Sequence, residues 1–131
     1  MTRNPVTIDL KAPTSLADIL MKHHPIHHLP VLEGEVLRGL VSQSDLYRNM
    51  LSFFFVENER EHHEFLDSFL DLPSIMTSDP LSLQPEDTLG QALELMQTRK
   101  IGCVPVVDKA NRLVGILTES DMLRLFTHYL P

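Results

Sequence analysis

Cationic side chains are scarce in this chain: 11 Lys and Arg stand against 18 Asp and Glu in 131 residues, a formal charge of -7. Such a surface is poorly suited to displacing phosphate counterions, which argues against non-specific binding to nucleic acid, and it disfavours an anionic membrane face in the same way. Cysteine occurs once, as Cys103, so no internal disulfide can form and a reducing cytoplasm is the expected compartment. No apolar run approaches the roughly 20 residues needed to span a bilayer, and no cleavable leader is visible. Also missing are a Ser-His-Asp ordering, a paired-carboxylate motif, a Walker loop and a dinucleotide glycine fingerprint. The chain is therefore not expected to be an enzyme, nor to require a cofactor. What remains is enough for a folded domain, because 43% hydrophobic content can furnish a core.

What the chain does contain is itself, twice. Gly39-Leu40-Val41-Ser42-Gln43-Ser44-Asp45 returns as Gly115-Ile116-Leu117-Thr118-Glu119-Ser120-Asp121. Met1-Thr2-Arg3-Asn4-Pro5 returns as Met76-Thr77-Ser78-Asp79-Pro80, and Ile26 to Val31 as Ile101 to Val106, both at an offset of 75 (76 minus 1, 101 minus 26). The offset then becomes 76 (115 minus 39), because the turn Glu33-Gly34-Glu35 is tighter than Asp108-Lys109-Ala110-Asn111. A period this long is no solenoid, whose units run roughly 20 to 50 residues. Two halves packed about a pseudo-twofold axis are expected.

Each copy reads as strand, helix, strand, strand, helix. Pro5-Val6-Thr7-Ile8 and Pro80-Leu81-Ser82-Leu83 alternate after a proline, as edge strands do. Helical spacing follows, with Leu16, Ile19 and Leu20 after Ser15 in the first copy and Leu89, Ala92, Leu93 and Met96 after Thr88 in the second. The first of these helices is expected to stop at His24, before Pro25. Leu29 to Leu32 with Val36 to Val41, and Val104 to Val107 with Leu113 to Leu117, read as buried hairpins. Gly39 and Gly115 lie inside the returning strands, where a missing side chain marks close approach by another backbone or a ligand. The final helices start at Ser42 and Thr118.

The order of these elements, the Met-Thr-x-x-Pro opening, the Ile-x-x-(Leu/Val)-Pro-Val strand and the Gly-h-h-(Ser/Thr)-x-x-Asp exit, where h is apolar, together resemble a tandem pair of CBS domains, a Bateman module. Ile101-Gly102-Cys103-Val104-Pro105-Val106 and the acidic helical segment also resemble stand-alone bacterial pairs of the acetoin-utilisation type. The resemblance implies an α/β (α+β) fold of two β-α-β-β-α repeats, residues 1–46 and 73–131, separated by a helical acidic insert at 47–72. It further implies a regulatory module that binds an adenosine-containing ligand in a cleft between the repeats, and a homodimer.

By that resemblance, Asp45 and Asp121 accept hydrogen bonds from ribose hydroxyls, and Ser42 and Thr118 help hold phosphate at a helix start. The base would lie beside Thr7, His28, Leu29 and Pro30 in one half, and beside Ser82, Gly102, Cys103, Val104 and Pro105 in the other. A carboxylate suits a diol, since its two oxygens can take both hydroxyls through charge-assisted bonds. A plainer reading stands beside this one. Ser42-x-x-Asp45 and Thr118-x-x-Asp121 are variants of the capping box, which needs no ligand and stabilises a helix start by about 1 kcal/mol. The second copy is the better candidate, because Thr118 matches the usual threonine and Gly102 leaves room beside a base. With Arg38, Lys100, Arg112 and Arg124 the nearest cations in sequence, a short phosphate chain is easier to hold. AMP or ADP is favoured over ATP, with S-adenosylmethionine open.

Two other features bear on function. His23, His24, His27 and His28 form one cluster, and His62 and His63, beside Glu59 and Glu64, another. Imidazole and carboxylate suit zinc or nickel, but Pro25 breaks the helical spacing of the first cluster and no metal site is assigned. In the insert, Met50, Leu51, Phe54 and Phe55 and then Phe65, Leu66, Phe69 and Leu70 make apolar stripes about a polar middle, as two helices or one bent helix would. Such a stripe fits packing across the pseudo-twofold axis or against a second subunit, or docking of a regulated protein partner. A structural dimerisation module with empty clefts and a histidine-based metal-responsive protein are the alternative functions. The first copy, starting at Met1-Thr2, lacks the upstream turn that Leu72-Pro73-Ser74-Ile75 gives the second, as in a longer protein or a trimmed first half.

Overall fold

Pro30 and Pro105 govern how each sheet begins. In the computed structural model, which describes residues 1–49 and 58–129, the elements run β1 (Thr2–Arg3), β2 (Ile8–Asp9), α1 (Thr14–His23), β3 (His28–Glu33), β4 (Val36–Ser42), α2 (Gln43–Arg48), α3 (Glu59–Phe69), α4 (Leu72–Ile75), β5 (Thr77–Ser78), α5 (Leu89–Arg99), β6 (Cys103–Val107), β7 (Leu113–Thr118) and α6 (Glu119–Tyr129). Pro105 carbonyl accepts the Leu83 N–H at 2.9 Å, and Leu83 carbonyl accepts the Val107 N–H at 2.8 Å. The ring nitrogen of Pro105 faces that same edge and has no hydrogen to give, so the partner segment cannot pair before residue 83. The expected edge strands Pro5–Ile8 and Pro80–Leu83 are accordingly cut short. β2 joins β3 in parallel only from Ile8, opposite Val31, and its counterpart is the single Leu83–Val106 bridge.

Two compact units result: Val6–Asp79 is one, and Met1–Pro5 with Pro80–Pro131 is the other. The Val6–Asp79 unit holds a four-stranded sheet, β2-β3-β4-β5, whose hairpin β3-β4 pairs Leu29 with Val41 and Val31 with Gly39. Its apolar face buries Ile8, Ala17, Met21, Leu29, Val31, Val41, Leu46, Leu72 and Ile75. The other unit holds a three-stranded sheet, β1-β7-β6, over Ala92, Met96, Val104, Leu117 and Met122. Both hairpins change register at the same point of the repeat, Val31/Leu32 and Val106/Val107.

Two short strands were not foreseen. β5, from the opening segment of the second copy, pairs with β4 in the Val6–Asp79 unit, and β1, from the opening segment of the first copy, pairs with β7 in the other. The opening motif of each copy therefore closes the sheet built by its counterpart. This accounts for the strand glycines. A Cβ on Gly115 would lie 2.7 Å from the Thr2 carbonyl oxygen, and one on Gly39 would lie 2.9 Å from Cγ of Met76.

The insert also has a definite structural task. α1 starts at Thr14, ahead of the expected Ser15, and its N-cap residue Pro13 offers no side-chain cap. The cap comes from α3 instead: Asp67 accepts from the Ser15 N–H at 2.8 Å and from the Ser15 hydroxyl at 2.7 Å, while Thr14 Oγ1 donates to the Leu70 carbonyl at 2.9 Å. An acidic group at a helix start also complements the partial positive charge there. Leu66 is fully buried, Phe65 and Leu70 are half-buried, and Phe69 stays exposed with its ring 4.9 Å from that of Phe65. This part of the insert therefore packs on α1 of its own unit. The stripe through Met50, Leu51, Phe54 and Phe55 lies outside the described residues.

Gly115→Ala is expected to destabilise the protein by about 1–3 kcal/mol, since its Cβ meets backbone. Gly39→Ala, which meets a rotatable methionine, should cost less. Urea midpoints of the two variants would check the ranking.

Candidate functional site

The end of each hairpin is joined to the next helix by one reciprocal pair of hydrogen bonds. In the Val6–Asp79 unit the Ser42 N–H donates to Asp45 Oδ2 at 2.8 Å, and the Asp45 N–H donates to Ser42 Oγ at 3.0 Å. In the other unit the Thr118 N–H donates to Asp121 Oδ2 at 2.9 Å, and the Asp121 N–H donates to Thr118 Oγ1 at 3.2 Å. The capping box read from the sequence is thus present at both places. It uses one carboxylate oxygen and leaves Oδ1 for another partner.

That partner is an arginine one helical turn on. Arg124 Nη2 lies 2.8 Å from Asp121 Oδ1, and Arg48 pairs with Asp45 Oδ1 in the same way. Both arginine side chains are 73% exposed, whereas Asp45 and Asp121 are 8% and 11% exposed. The guanidinium end of each pair faces water, so another hydrogen-bond donor can take its place on the aspartate. Thr2 Oγ1 also reaches Asp121 Oδ1, at 3.5 Å. Arg48 was missed in the sequence. Its signal was the shared spacing Asp45-x-x-Arg48 and Asp121-x-x-Arg124. Of the four cations expected near phosphate, Arg124 alone is at a motif aspartate: Arg38 is held by Glu33 at 2.7 Å, Arg112 by Asp108 at 2.8 Å, and Lys100 ends α5 in a left-handed conformation.

The remaining expected contacts divide by strand. His28 stands opposite Ser42, and Cys103 opposite Thr118, so the hairpin register brings each to its cap. Leu29, Pro30, Val104 and Pro105 are buried, and Leu29 and Val104 belong to the apolar cores, so their side chains serve packing. Thr7 and Ser82 each come one residue before the parallel pairing at Ile8 and Leu83, half-buried and exposed respectively. The space beside Gly102 is lined by Glu119, whose Cδ would sit 3.4 Å from a Cβ there. In the first copy the equivalent position is His27, whose Nδ1 lies 2.9 Å from Gln43 Oε1.

Cys103 is not a reactive thiol. Burial, with a smaller contribution from the nearby Asp121 charge, pushes its pKa up to about 12.

The CBS domain model matches residues 1–52 and 72–128. The chain belongs to the CBS domain family. A CBS domain-containing protein of Dictyostelium discoideum is 32% identical over 126 residues, 95% of this chain and 86% of that protein. Homoserine O-acetyltransferase of Methanocorpusculum labreanum is 33% identical over 123 residues, 93% of this chain but only 22% of the enzyme. The chain thus spans about a fifth of that relative. Among solved structures, a protein assigned to acetoin utilization in Vibrio cholerae superposes with a TM-score of 0.79 at 32% identity, over 98% of this chain and 87% of the other. CBSX2 in complex with AMP superposes at 0.80 with 24% identity, over 98% and 93%, a likeness of fold. No helix among the described residues is long and apolar enough to cross a membrane.

In the native protein Cys103 is expected to resist Ellman's reagent and to react fully in urea. Rapid labelling of the folded protein would contradict the burial and the raised pKa.

Proposed function

We propose that this CBS pair is a regulatory module, without catalytic turnover of its own, that binds an adenosine-containing ligand at the Thr118–Asp121 helix start. The observation that carries this reading is the divided use of the Asp121 carboxylate. Oδ2 is committed to the cap, which fixes the side chain, while the partners of Oδ1 among the described residues are an exposed arginine and a long threonine contact. A ribose diol can replace the arginine on Oδ1, and the released guanidinium is then one turn from the bound nucleoside, placed for a phosphate. One arginine suits AMP or ADP better than ATP, and S-adenosylmethionine is compatible through its own cationic sulfonium. The AMP complex of a fold neighbour supports the ligand class. The Ser42–Asp45–Arg48 set is the equivalent site, with His28 at its side. Binding acts as a switch only where the ligand prefers one arrangement of the module over another.

Calorimetric titration with AMP, ADP, ATP and S-adenosylmethionine tests the reading. Wild type is expected to bind AMP or ADP, and Asp121→Asn, which keeps an oxygen for the cap, to bind about tenfold or more weakly, as loss of a charge-assisted hydrogen bond implies. Absence of heat for all four ligands in ligand-free protein would refute it.

We further propose a homodimer formed through α6. Leu123 and Phe126, three residues apart on one helical face, are 66% and 53% exposed. Light scattering is expected to give a dimer for wild type and a monomer for Leu123→Asp/Phe126→Asp, and a monomeric wild type at tens of micromolar would exclude this interface.

A further inference from the structure

Helices α1 and α3 bring together a set of donor atoms that the adenosine reading leaves unused. Asp18, on the face of α1 that α3 covers, is 3% exposed. Its Oδ2 lies 2.9 Å from His63 Nε2, and Glu59 Oε1, one turn before His63 on α3, lies 3.8 Å from the same nitrogen. Two carboxylate oxygens and one imidazole nitrogen thus sit within 4.8 Å of one another. The edges of a tetrahedron around zinc, with ligand bonds of about 2.0–2.2 Å, are roughly 3.3–3.6 Å long. The observed 2.9 and 3.8 Å separations bracket that length. Glu59 and His63 are four residues apart on a continuous helix, so both reach the same side of it.

A positive charge already occupies the position. Lys22 Nζ is 3.0 Å from Asp18 Oδ2 and 3.1 Å from Glu59 Oε1. Its side chain is 53% exposed, so the ammonium can move into water as another cation takes its place, while the imidazole and the buried carboxylate remain. Burial opposes the charge on Asp18, yet its hydrogen bonds with His63 and Lys22 hold its pKa below the usual carboxylate value.

We propose that Asp18, Glu59 and His63 form a binding site for a zinc-class divalent cation, which enters by displacing the Lys22 ammonium. An imidazole among two carboxylates selects zinc or nickel over calcium and magnesium, which take oxygen ligands. Three protein ligands leave a fourth position for water. Thr14 and Ser15 already fasten the other end of α3 to α1, so the metal would complete a second clasp and immobilise the insert against the first copy's helix. The site concerns a different surface from the Thr118–Asp121 cap and stands independently of it.

The test is titration of the full chain, without a histidine tag and stripped with EDTA, with zinc chloride, read by calorimetry and by the shift in melting temperature that a ligand of the folded state produces. One equivalent is expected to bind. Lys22→Ala, which removes the competitor, should bind about fivefold or more tightly, and His63→Gln and Glu59→Gln should each weaken binding about tenfold or more. Glu59 is 61% exposed, so that variant tests the site without risk to the core. His23→Ala/His24→Ala, which removes the neighbouring imidazole pair at the end of α1, should bind as wild type does. The proposal is overturned when neither wild type nor Lys22→Ala binds zinc, or when binding survives Glu59→Gln and His63→Gln unchanged.

Discussion

A hydroxyl and a carboxylate three residues apart, each accepting the other's backbone N–H, hold together the strand-to-helix corner of both copies. Without that exchange the first turn of α2 or α6 would present unsatisfied amides to a half-buried corner. With it, the corner is rigid and the aspartate loses its freedom to rotate. The functional consequence comes from the same bonds. A carboxylate fixed through one oxygen presents the other in a constant direction, so a diol meeting it finds an acceptor already oriented. On the proposed reading, structure and recognition are two uses of one side chain, each taking a different oxygen.

The same economy governs the sheets. Each copy supplies a hairpin whose outer edge is left open at β4 or β7, and an unpaired edge is a liability in any sheet. Two residues from the opening motif of the other copy cover it, and a glycine beneath them makes room. The duplicated sequence is therefore not two independent domains laid end to end. Its opening segments belong structurally to the unit that follows or precedes them, and the glycines of the returning strands are the mark of that exchange.

Most of the architecture was legible in the sequence because it depends on local chemistry. Thr88, Ser42 and Thr118 announced helix starts, the Val-rich runs announced hairpins, and Pro25 announced the end of α1. What stayed hidden depended on groups far away in the chain. The start of α1 at Thr14 could not be read from Pro13, because its cap is Asp67, some fifty residues on. The two-residue strands β1 and β5 have no periodicity to detect, and only the unexplained Gly39 and Gly115 hinted at them. At the site, the residue types on each cap were readable from the motif, but the occupation of Oδ1 by Arg48 and Arg124 emerged only from geometry. The residue that flanks Gly102, Glu119, was not foreseen, because it reaches that position from the start of α6.

The two caps are alike in their bonds and unlike in their surroundings, and that difference bears on which one takes a ligand. Beside the Ser42 cap, position 27 carries an imidazole tied to Gln43, and Asp45 lies slightly deeper than its counterpart. On the proposed reading, a ligand there would displace an arginine and also pass a histidine already engaged in a hydrogen bond. Beside the Thr118 cap, position 102 has no side chain, and the flanking Glu119 is exposed, its N–H donating to the Gly102 carbonyl at 3.0 Å. Its carboxylate adds negative charge, however, which favours a ligand with few phosphates or with a positive centre and works against a long polyphosphate tail. Duplication thus preserved the corner that both copies need for folding, while divergence at positions 27 and 102 made their neighbourhoods unequal. If both caps take the proposed ligand, the physical expectation is graded affinity, with the Thr118 side filling first.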